Sequence, residues 1–530
     1  MIELIFFLSW WSPYLFLRIK KSLQMLQQNT YDKGYRYFKW IIKNRAKVFD
    51  VIDLIPLVLI LVISFINNNI IIIILTSIVY INLYYRTYDK LNLEQDKLPL
   101  VITSRVKRIM VAIILLYSLI FIHIIYNYKL NILNDYLYLL MILAYLQYFI
   151  TWVACRMCMP IEKLVSIYYL RKAKSKLKKI PDLKVIGITG SYGKTSCKNI
   201  LNDILNTKYS VCASPKNFNT PYGLSITINN YLNKFHQLLI AEMGARKVGE
   251  IKELSNLVSP KYGILTSIGV AHLDSFGSVE NIQKCKFELI ESLPTDGVAI
   301  LNRDDNYQTS YKLKNNCKVI WIGIDNKEAD VMATDIKLSS LGTSFNVTFK
   351  NNKKKYLFET ILLGNANVYN ILSCIALAKE LGMKIEDIQN GVKKIKPIEH
   401  RLELKKYGSI NIIDDAYNSN PIGSKMALEV LNTMPGKKII VTPGMIELGK
   451  EEYNYNYAFG AHIADVCDEV ILVGEEQTKP IYDGLIEKKY HKKHIHIIKD
   501  IKLAFDIINK FKDKGIYVLL ENDLPDIFNE

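Results

Sequence analysis

No internal repeat and no low-complexity linker interrupts this chain, so neither a solenoid nor a string of loosely tethered modules fits it. Cysteine is scarce and unpatterned. Its eight residues have no framework spacing, which excludes a disulfide-stapled secreted scaffold. Cys155 and Cys158 form one isolated C-x-x-C, a weak metal or redox motif that is better read as two reduced thiols. The N-terminal segment lacks a small-residue cleavage site and runs into basic residues, which points to a retained anchor rather than a cleaved signal. Acidic residues are in deficit, 51 against 68 basic, for a net charge of +17. In a soluble chain that excess would suggest nucleic acid. Here its placement argues for no nucleic-acid partner, because the basic residues cluster beside apolar runs.

Apolar sequence is what the chain has in excess, at 50% of 530 residues. That length is too great for one core and suggests three or four units. Residues 1–155 hold the runs Ile2–Leu17, Val51–Ile66, Ile70–Tyr85, Ile109–Tyr126 and Ile132–Ala154, each approaching bilayer length. Arg18, Lys20, Lys21, Lys39, Lys43, Arg45 and Lys47 lie in one connection, and Arg105, Lys107 and Arg108 in another. Asn67–Asn69 and Asn127–Asn131 are nearly free of charge, with Lys129 their only basic residue. Positive connections stay cytoplasmic. The expectation is an α-helical transmembrane region of about five helices with the N-terminus outside, at the cytoplasmic membrane. A basic linker, 156–182, follows, with Arg171, Lys172, Lys174, Lys176, Lys178 and Lys179 facing anionic membrane lipids.

From Lys184 onward, β-rich runs alternate with helical stretches, the pattern of a parallel sheet covered by helices. Val185–Ile188, Leu238–Glu242, Tyr262–Ser267, Val298–Leu301 and Val319–Ile322 are the first set of strands. Ile410–Asp414, Lys438–Val441, Glu469–Val473, His494–Ile498 and Tyr517–Leu520 are the second. Between them lie a helical region, Asn367–Gly382, and Pro397, so domains are expected at 183–398 and 399–530.

The chemistry starts after the first strand, at Thr189-Gly190-Ser191-Tyr192-Gly193-Lys194-Thr195-Ser196. A glycine turn opening a helix aims backbone N–H groups at phosphate. Lys194 would sit against terminal phosphates and the Thr195 hydroxyl on Mg²⁺. The general P-loop pattern would need glycine where Ile188 stands, so this is a shortened form. Glu242 ends an apolar strand, where ligands of open α/β sheets bind, and its hard oxygens suit Mg²⁺. His272 follows another strand, and Lys286 lies on a helix after it. Singly, Glu242 could be a surface carboxylate, His272 a packing histidine and Lys286 an ordinary helical lysine.

Taken in order, these motifs resemble the Mur ligase family, the peptide-adding enzymes of cell-wall precursor synthesis. The likeness rests also on Asn219-Thr220-Pro221-Tyr222-Gly223, Glu242-Met243-Gly244-Ala245, Ala271-His272-Leu273 and Asn302-Arg303-Asp304-Asp305. Asn367 with Asn370, His400-Arg401, Asp414-Asp415-Ala416-Tyr417-Asn418-Ser419-Asn420-Pro421 and Gly444–Gly449 complete it. The resemblance implies a P-loop central ATPase domain and a Rossmann-like C-terminal ligase domain. It implies ATP and Mg²⁺, an acyl phosphate made from a carboxylate, and attack on it by an amino acid or a dipeptide such as D-alanyl-D-alanine. It makes Lys194, Lys286 and His272 catalytic, with Lys286 open to carbamylation. It gives the metal to Thr195, Glu242 and His272, and the nucleotide to residues 190–196 with Asn302, Arg401 and Asp415. It leaves Asn219, Thr220, Asn418 and Asn420 to the substrate, a nucleotide- or lipid-linked cell-wall precursor. A membrane-bound ligase of another peptide, such as γ-linked polyglutamate, and an inactive scaffold are the alternatives.

The chain departs from the family pattern in four places. Ala366 and Asn456 stand where histidines are usual. The last strand leads into Glu521-Asn522-Asp523-Leu524-Pro525-Asp526 rather than a Lys-Gly-Ser-Arg-like turn. Apolar runs occupy the place of a UDP-binding domain.

Overall fold

The computed structural model describes residues 2–523 apart from 30, 32–33, 64–68, 94–97, 128–132, 216, 272, 418, 447 and 512–514. Its contacts divide the chain into two units, 1–166 and 167–523.

The first unit is helical. Its main helices are Ile2–Gln28, Tyr35–Lys43, Ile55–Ile63, Asn69–Leu93, Ser104–Asn127, Leu133–Tyr145 and the start of Gln147–Lys178. Phe7, Trp11, Tyr80, Ile109, Leu137 and Leu140 are buried at its centre. Arg18 is buried there too. It pairs with Asp53 and donates to the carbonyls of Val48 at 3.1 Å and Tyr145 at 3.0 Å.

The expectation of five spans is not met. Among the described residues, Ser104–Ile124 is the one helix long and apolar enough to cross a bilayer. Tyr136–Tyr145 and Gln147–Lys178, bent by 78°, make a second at most. The reason is local. Ile2–Leu17 contains Glu3 and is cut off by Arg18, Lys20 and Lys21, and a run of 16 residues at about 1.5 Å each falls short of a core about 30 Å thick. Asp50 caps a short turn, Val51–Leu54, so the expected run Val51–Ile66 does not begin as one continuous helix; its last residues, 64–66, lie outside the described residues. Ser104–Asn127 nevertheless carries an outward apolar face, with Ile114, Leu115, Leu119 and Ile122 each 58–65% exposed.

The second unit is built on two sheets. The larger contains β1 (Lys184–Thr189), β2 (Val211–Ala213), β3 (Leu238–Glu242), β4 (Tyr262–Leu265), β5 (Val298–Asn302), β6 (Lys318–Gly323), β7 (Val331–Ser339), β8 (Gly342–Phe349) and β9 (Asn352–Thr360). Their order is β2-β3-β1-β4-β5-β6-β7-β8-β9. Alternate strand residues face opposite layers. Ile186, Ile188, Ile240 and Ile264 pack with Ile200, Leu201, Ile371 and Ile375 of the helices Lys194–Leu205 and Asn365–Glu380. Leu239, Ala241 and Leu265 pack with Leu254, Phe287 and Leu289 on the other side.

The smaller sheet contains β10 (Glu403–Tyr407), β11 (Ile410–Asp415), β12 (Lys437–Thr442), β13 (Glu469–Val473), β14 (Ile495–Ile498) and β15 (Ile516–Glu521), ordered β10-β11-β15-β12-β13-β14.

The parallel core matches expectation, but both sheets are mixed. β7, β8 and β9 run antiparallel, as does β10 against β11. Two-residue connections at 340–341 and 350–351 allow only hairpins, since a parallel crossover needs a dozen residues or more. In β7–β9, Val331, Ala333, Phe345, Val347 and Phe358 point inward while lysines and serines alternate outward.

Candidate active site

Strand register brings the distant motifs together. Ile188 of β1 pairs with Glu242 of β3, and Thr189 pairs with Leu265 of β4. The C-terminal ends of the three strands therefore share one edge, and the glycine turn leaves from the middle of it. Its two glycines are required by shape. At Gly193 (φ 78°) a Cβ would stand 2.7 Å from the Asn370 side chain, and at Gly190 it would stand 2.1 Å from Thr266 Oγ1. The turn lies on residues 267–269. Ser191 N donates to Ser267 O at 2.7 Å, and Gly269 N donates to Ser191 Oγ at 3.0 Å.

Lys194 opens the helix Lys194–Leu205 and folds back over its own turn. Its ammonium donates to Gly190 O at 2.7 Å and Ser191 O at 3.0 Å. Thr195, one residue on, donates to Glu242 Oε1 at 3.0 Å, and Asn219 Nδ2 donates to the same oxygen at 3.1 Å. The other oxygen, Oε2, is buried, makes no hydrogen bond and meets Lys198 Nζ as an ion pair at 3.1 Å. Ser196 is buried at the helix start, and Tyr192 OH is buried with no hydrogen-bond partner.

The second sheet contributes from across the cleft. Arg401 stands 4.4 Å over the Tyr417 ring, and Tyr417 OH accepts from Asn217 Nδ2 at 3.0 Å. Asp415 Oδ1 accepts from Leu402 N at 3.2 Å. Asp414 is held by Lys405 at 2.7 Å and His400 at 2.8 Å.

Residues 188–378 match the model of the Mur ligase middle domain, and residues 400–520 match that of the Mur ligase, glutamate ligase domain. The UDP-N-acetylmuramoyl-tripeptide–D-alanyl-D-alanine ligase of Bacillus subtilis (strain 168) is 34% identical over 343 residues, 64% of this chain and 72% of the relative. The chain belongs to the Mur ligase family. Like its relatives, it is an ATP-dependent ligase. The Escherichia coli (strain K12) enzyme of the same name is 30% identical over 296 residues, 55% of this chain and 65% of that one. The structure of MurF from Acinetobacter baumannii superposes with a TM-score of 0.61 at 25% identity, covering 68% of this chain and 77% of that one. The Thermotoga maritima MurF structure, a complex with ADP, gives 0.61 at 26% identity, covering 68% and 81%.

The site of this Mur ligase is electrostatically poised. Burial pushes Lys194 down to about 7, helped by Lys286 and Arg401 and opposed by Glu242. Burial likewise lowers Lys286, whose ammonium stands 5.6 Å from the Phe276 ring centre. Burial pushes Asp415 up to about 6 against the pull of Arg401. A strong anion such as a triphosphate would relieve both lysines.

Among the described residues, no set of three His, Cys, Asp or Glu side chains could hold a metal. The donors that fit Mg²⁺ are the Glu242 carboxylate, whose Oε2 is paired with Lys198, and the Thr195 hydroxyl beside it. Mg²⁺ characteristically keeps waters and phosphate oxygens for its remaining positions.

Other expected residues have local duties. Thr220 caps the helix Pro221–Ile226, its oxygen accepting from Gly223 N at 3.2 Å. Asn420 caps Pro421–Asn432, accepting from Gly423 N at 2.8 Å. Both side-chain oxygens are therefore engaged by backbone, and Asn219 is the substrate candidate that touches the Glu242 cluster. Asn302 is buried at the end of β5, its Oδ1 accepting from Asp304 N at 3.0 Å. His272 and Asn418 lie outside the described residues.

Sequence reasoning missed Lys198. Its signal was available, since Thr195 and Lys198 are three apart on one helix and share a face. Lys198→Met should lower the unfolding free energy of the nucleotide-free protein by about 3–5 kcal/mol, because it strands a buried carboxylate. Chemical denaturation measures this. The deficit should narrow when Mg²⁺ and nucleotide supply the missing countercharge.

Proposed function

We propose that this ligase joins an amine, of which D-alanyl-D-alanine is the leading candidate, to the terminal carboxylate of a UDP-linked muramoyl tripeptide. The observation that carries it is the convergence of Lys194, Thr195 and Glu242 at one strand edge, in a chain whose relatives bear that name. The γ-phosphoryl group of ATP passes to the carboxylate, giving an acyl phosphate. The amine attacks the carbonyl carbon, and inorganic phosphate leaves with the C–O electron pair. Phosphoryl transfer needs positioning and charge more than covalent chemistry. Residues 190–196 cradle the phosphates, and Lys194 swings from its own carbonyls onto the phosphoryl group. Arg401 faces it from residues 399–530, so the domains 183–398 and 399–530 close on one nucleotide, with Asn302 and Asp415 at its edges. Thr195 and Glu242 would hold Mg²⁺, with His272 as a further ligand. When bound, the ion neutralises charge on the moving oxygens. Lys286 acts as its carbamate, a carboxylate in place of a cation.

Another acceptor joined by the same chemistry is the second reading, because the Lys-Gly-Ser-Arg-like turn of the family pattern is missing after β15. The protein, purified in detergent, should convert ATP to ADP in step with one amide product when given tripeptide precursor and D-alanyl-D-alanine. Mass spectrometry over a panel of amines reads the product. ATP turnover with no amide from any amine would leave a scaffold or a different carboxyl substrate.

Residues 1–155, in this proposal, hold the enzyme at the cytoplasmic membrane with its catalytic domains inside the cell. The outward apolar face of Ser104–Asn127 supports that reading, because exposed apolar patches of this kind need a cover. Resistance of the chain to alkaline extraction from membranes checks it.

A further inference from the structure

β11 and β15 are parallel neighbours, and their last residues, Asp415 and Glu521, are register partners. Two carboxylates thus stand side by side at the C-terminal edge of the smaller sheet, where open α/β sheets bind ligands. Glu521 is 1% exposed. Its Oε1 accepts from Ser419 Oγ at 2.6 Å, and its Oε2 is buried with no hydrogen-bond partner. Burial and the neighbouring Asp415 carboxylate hold its pKa well above the usual carboxylate range, while the Ser419 hydrogen bond opposes this. The pair is held rigidly. Ser419 N donates to Asn522 Oδ1 at 3.3 Å, and Asn522 Nδ2 donates to Gly444 O at 2.6 Å. Further out, Asp414 already has its cations, Lys405 and His400.

A buried carboxylate with a free oxygen is costly unless it takes up a proton or a cation is delivered to it, and burial beside Asp415 raises its affinity for a proton. Among the organic reactants of amide formation from an acyl phosphate, the amine is the one that arrives as a cation. We infer that Glu521, backed by Asp415, is the seat of the incoming ammonium group and accepts its proton before attack. The step balances. The ammonium gives one proton to the carboxylate pair, and its nitrogen lone pair attacks the acyl carbon. The C–N bond forms as the C–O bond to phosphate breaks. The second N–H proton leaves with phosphate, which yields amide, hydrogen phosphate and one proton on the pair. A seat of this charge also rejects an amine whose own carboxylate is adjacent. It therefore favours a dipeptide, with its carboxylate a peptide unit away, over a free amino acid such as glutamate.

The inference rests on the ligase reading and is tested apart from it. Hydroxylamine, largely uncharged at neutral pH, captures acyl phosphates without needing an ammonium seat. The full-length protein would be given ATP, UDP-linked tripeptide and either D-alanyl-D-alanine or hydroxylamine. In Glu521→Gln, kcat/KM for the dipeptide should fall at least tenfold further than that for hydroxylamine, through the amine KM. Gln preserves the shape and hydrogen bonding of a protonated Glu, so equal ratios in parent and variant would overturn the seat and leave a structural proton-sharing pair. If Glu521→Gln does not fold, Ser419→Ala, which releases Oε1, should move the same ratio severalfold, and an unmoved ratio overturns the proposal. Absence of both products in the parent would count against the ligase reading instead.

Discussion

Lys194→Ala lowers amide formation by two to four orders of magnitude and leaves the fold intact. The catalytic loss follows from the position of the ammonium. It is the cation nearest the turn that cradles the phosphates, and removal of one preorganised countercharge costs about 10²–10³ in turnover, more where it also positions the reacting group. The small effect on stability follows from its surroundings. Among the described residues, the ammonium donates to the Gly190 and Ser191 carbonyls, and burial holds its pKa near 7. The folded state therefore disfavours the charge. The sign of the linkage is fixed by this. Between pH 7 and the usual lysine range, the unfolded chain binds a proton that the folded chain lacks, so Lys194 makes the parent more stable as pH rises across that window. The alanine variant should lose that slope along with its activity. Steady-state assays with product mass read the first, and denaturant melts at several pH values read the second. Ligation at parental rate would remove the phosphate role from the turn.

Much of this site is visible in the chain because its pieces obey local rules. The glycine turn needs small residues at 190 and 193, and the lysine must open the helix, so spacing alone reveals them. Glu242 can be placed because apolar runs identify β1 and β3, and parallel register does the rest. The three-stranded extension β7–β9 was hidden. It is half-exposed, and the lysines and asparagines that face outward mask its two-residue period. Apolar content alone overstates the number of spans, because it passes over the breaks at Arg18, Asp50 and Leu146. The pairing of Asp415 with Glu521 was out of reach. The two are 106 positions apart in the chain, and only the insertion of β15 between β11 and β12 makes them neighbours.

Lys286→Ala should abolish ligation and regain a measurable fraction of it when a small carboxylate such as formate is supplied. Lys286 sits in the helix Val279–Glu291, 3% exposed and beside the Phe276 ring. Among the described residues, no ion pair engages it. A cation in that place works against Mg²⁺ at Thr195 and Glu242 and pushes Lys194 toward its neutral form. As a carbamate it would reverse both effects, contributing a negative charge that supports the ion and raises Lys194. Carbamylation requires the neutral amine, and burial lowers the Lys286 pKa in the direction that supplies it. The alanine variant removes the carboxylate but leaves room for one. Two measurements decide the matter. Ligation should rise with added formate in the variant and not in the parent, and removal of bicarbonate should slow the parent alone. A variant that ligates at full rate without formate would mean that Lys286 merely fills space beneath Phe276.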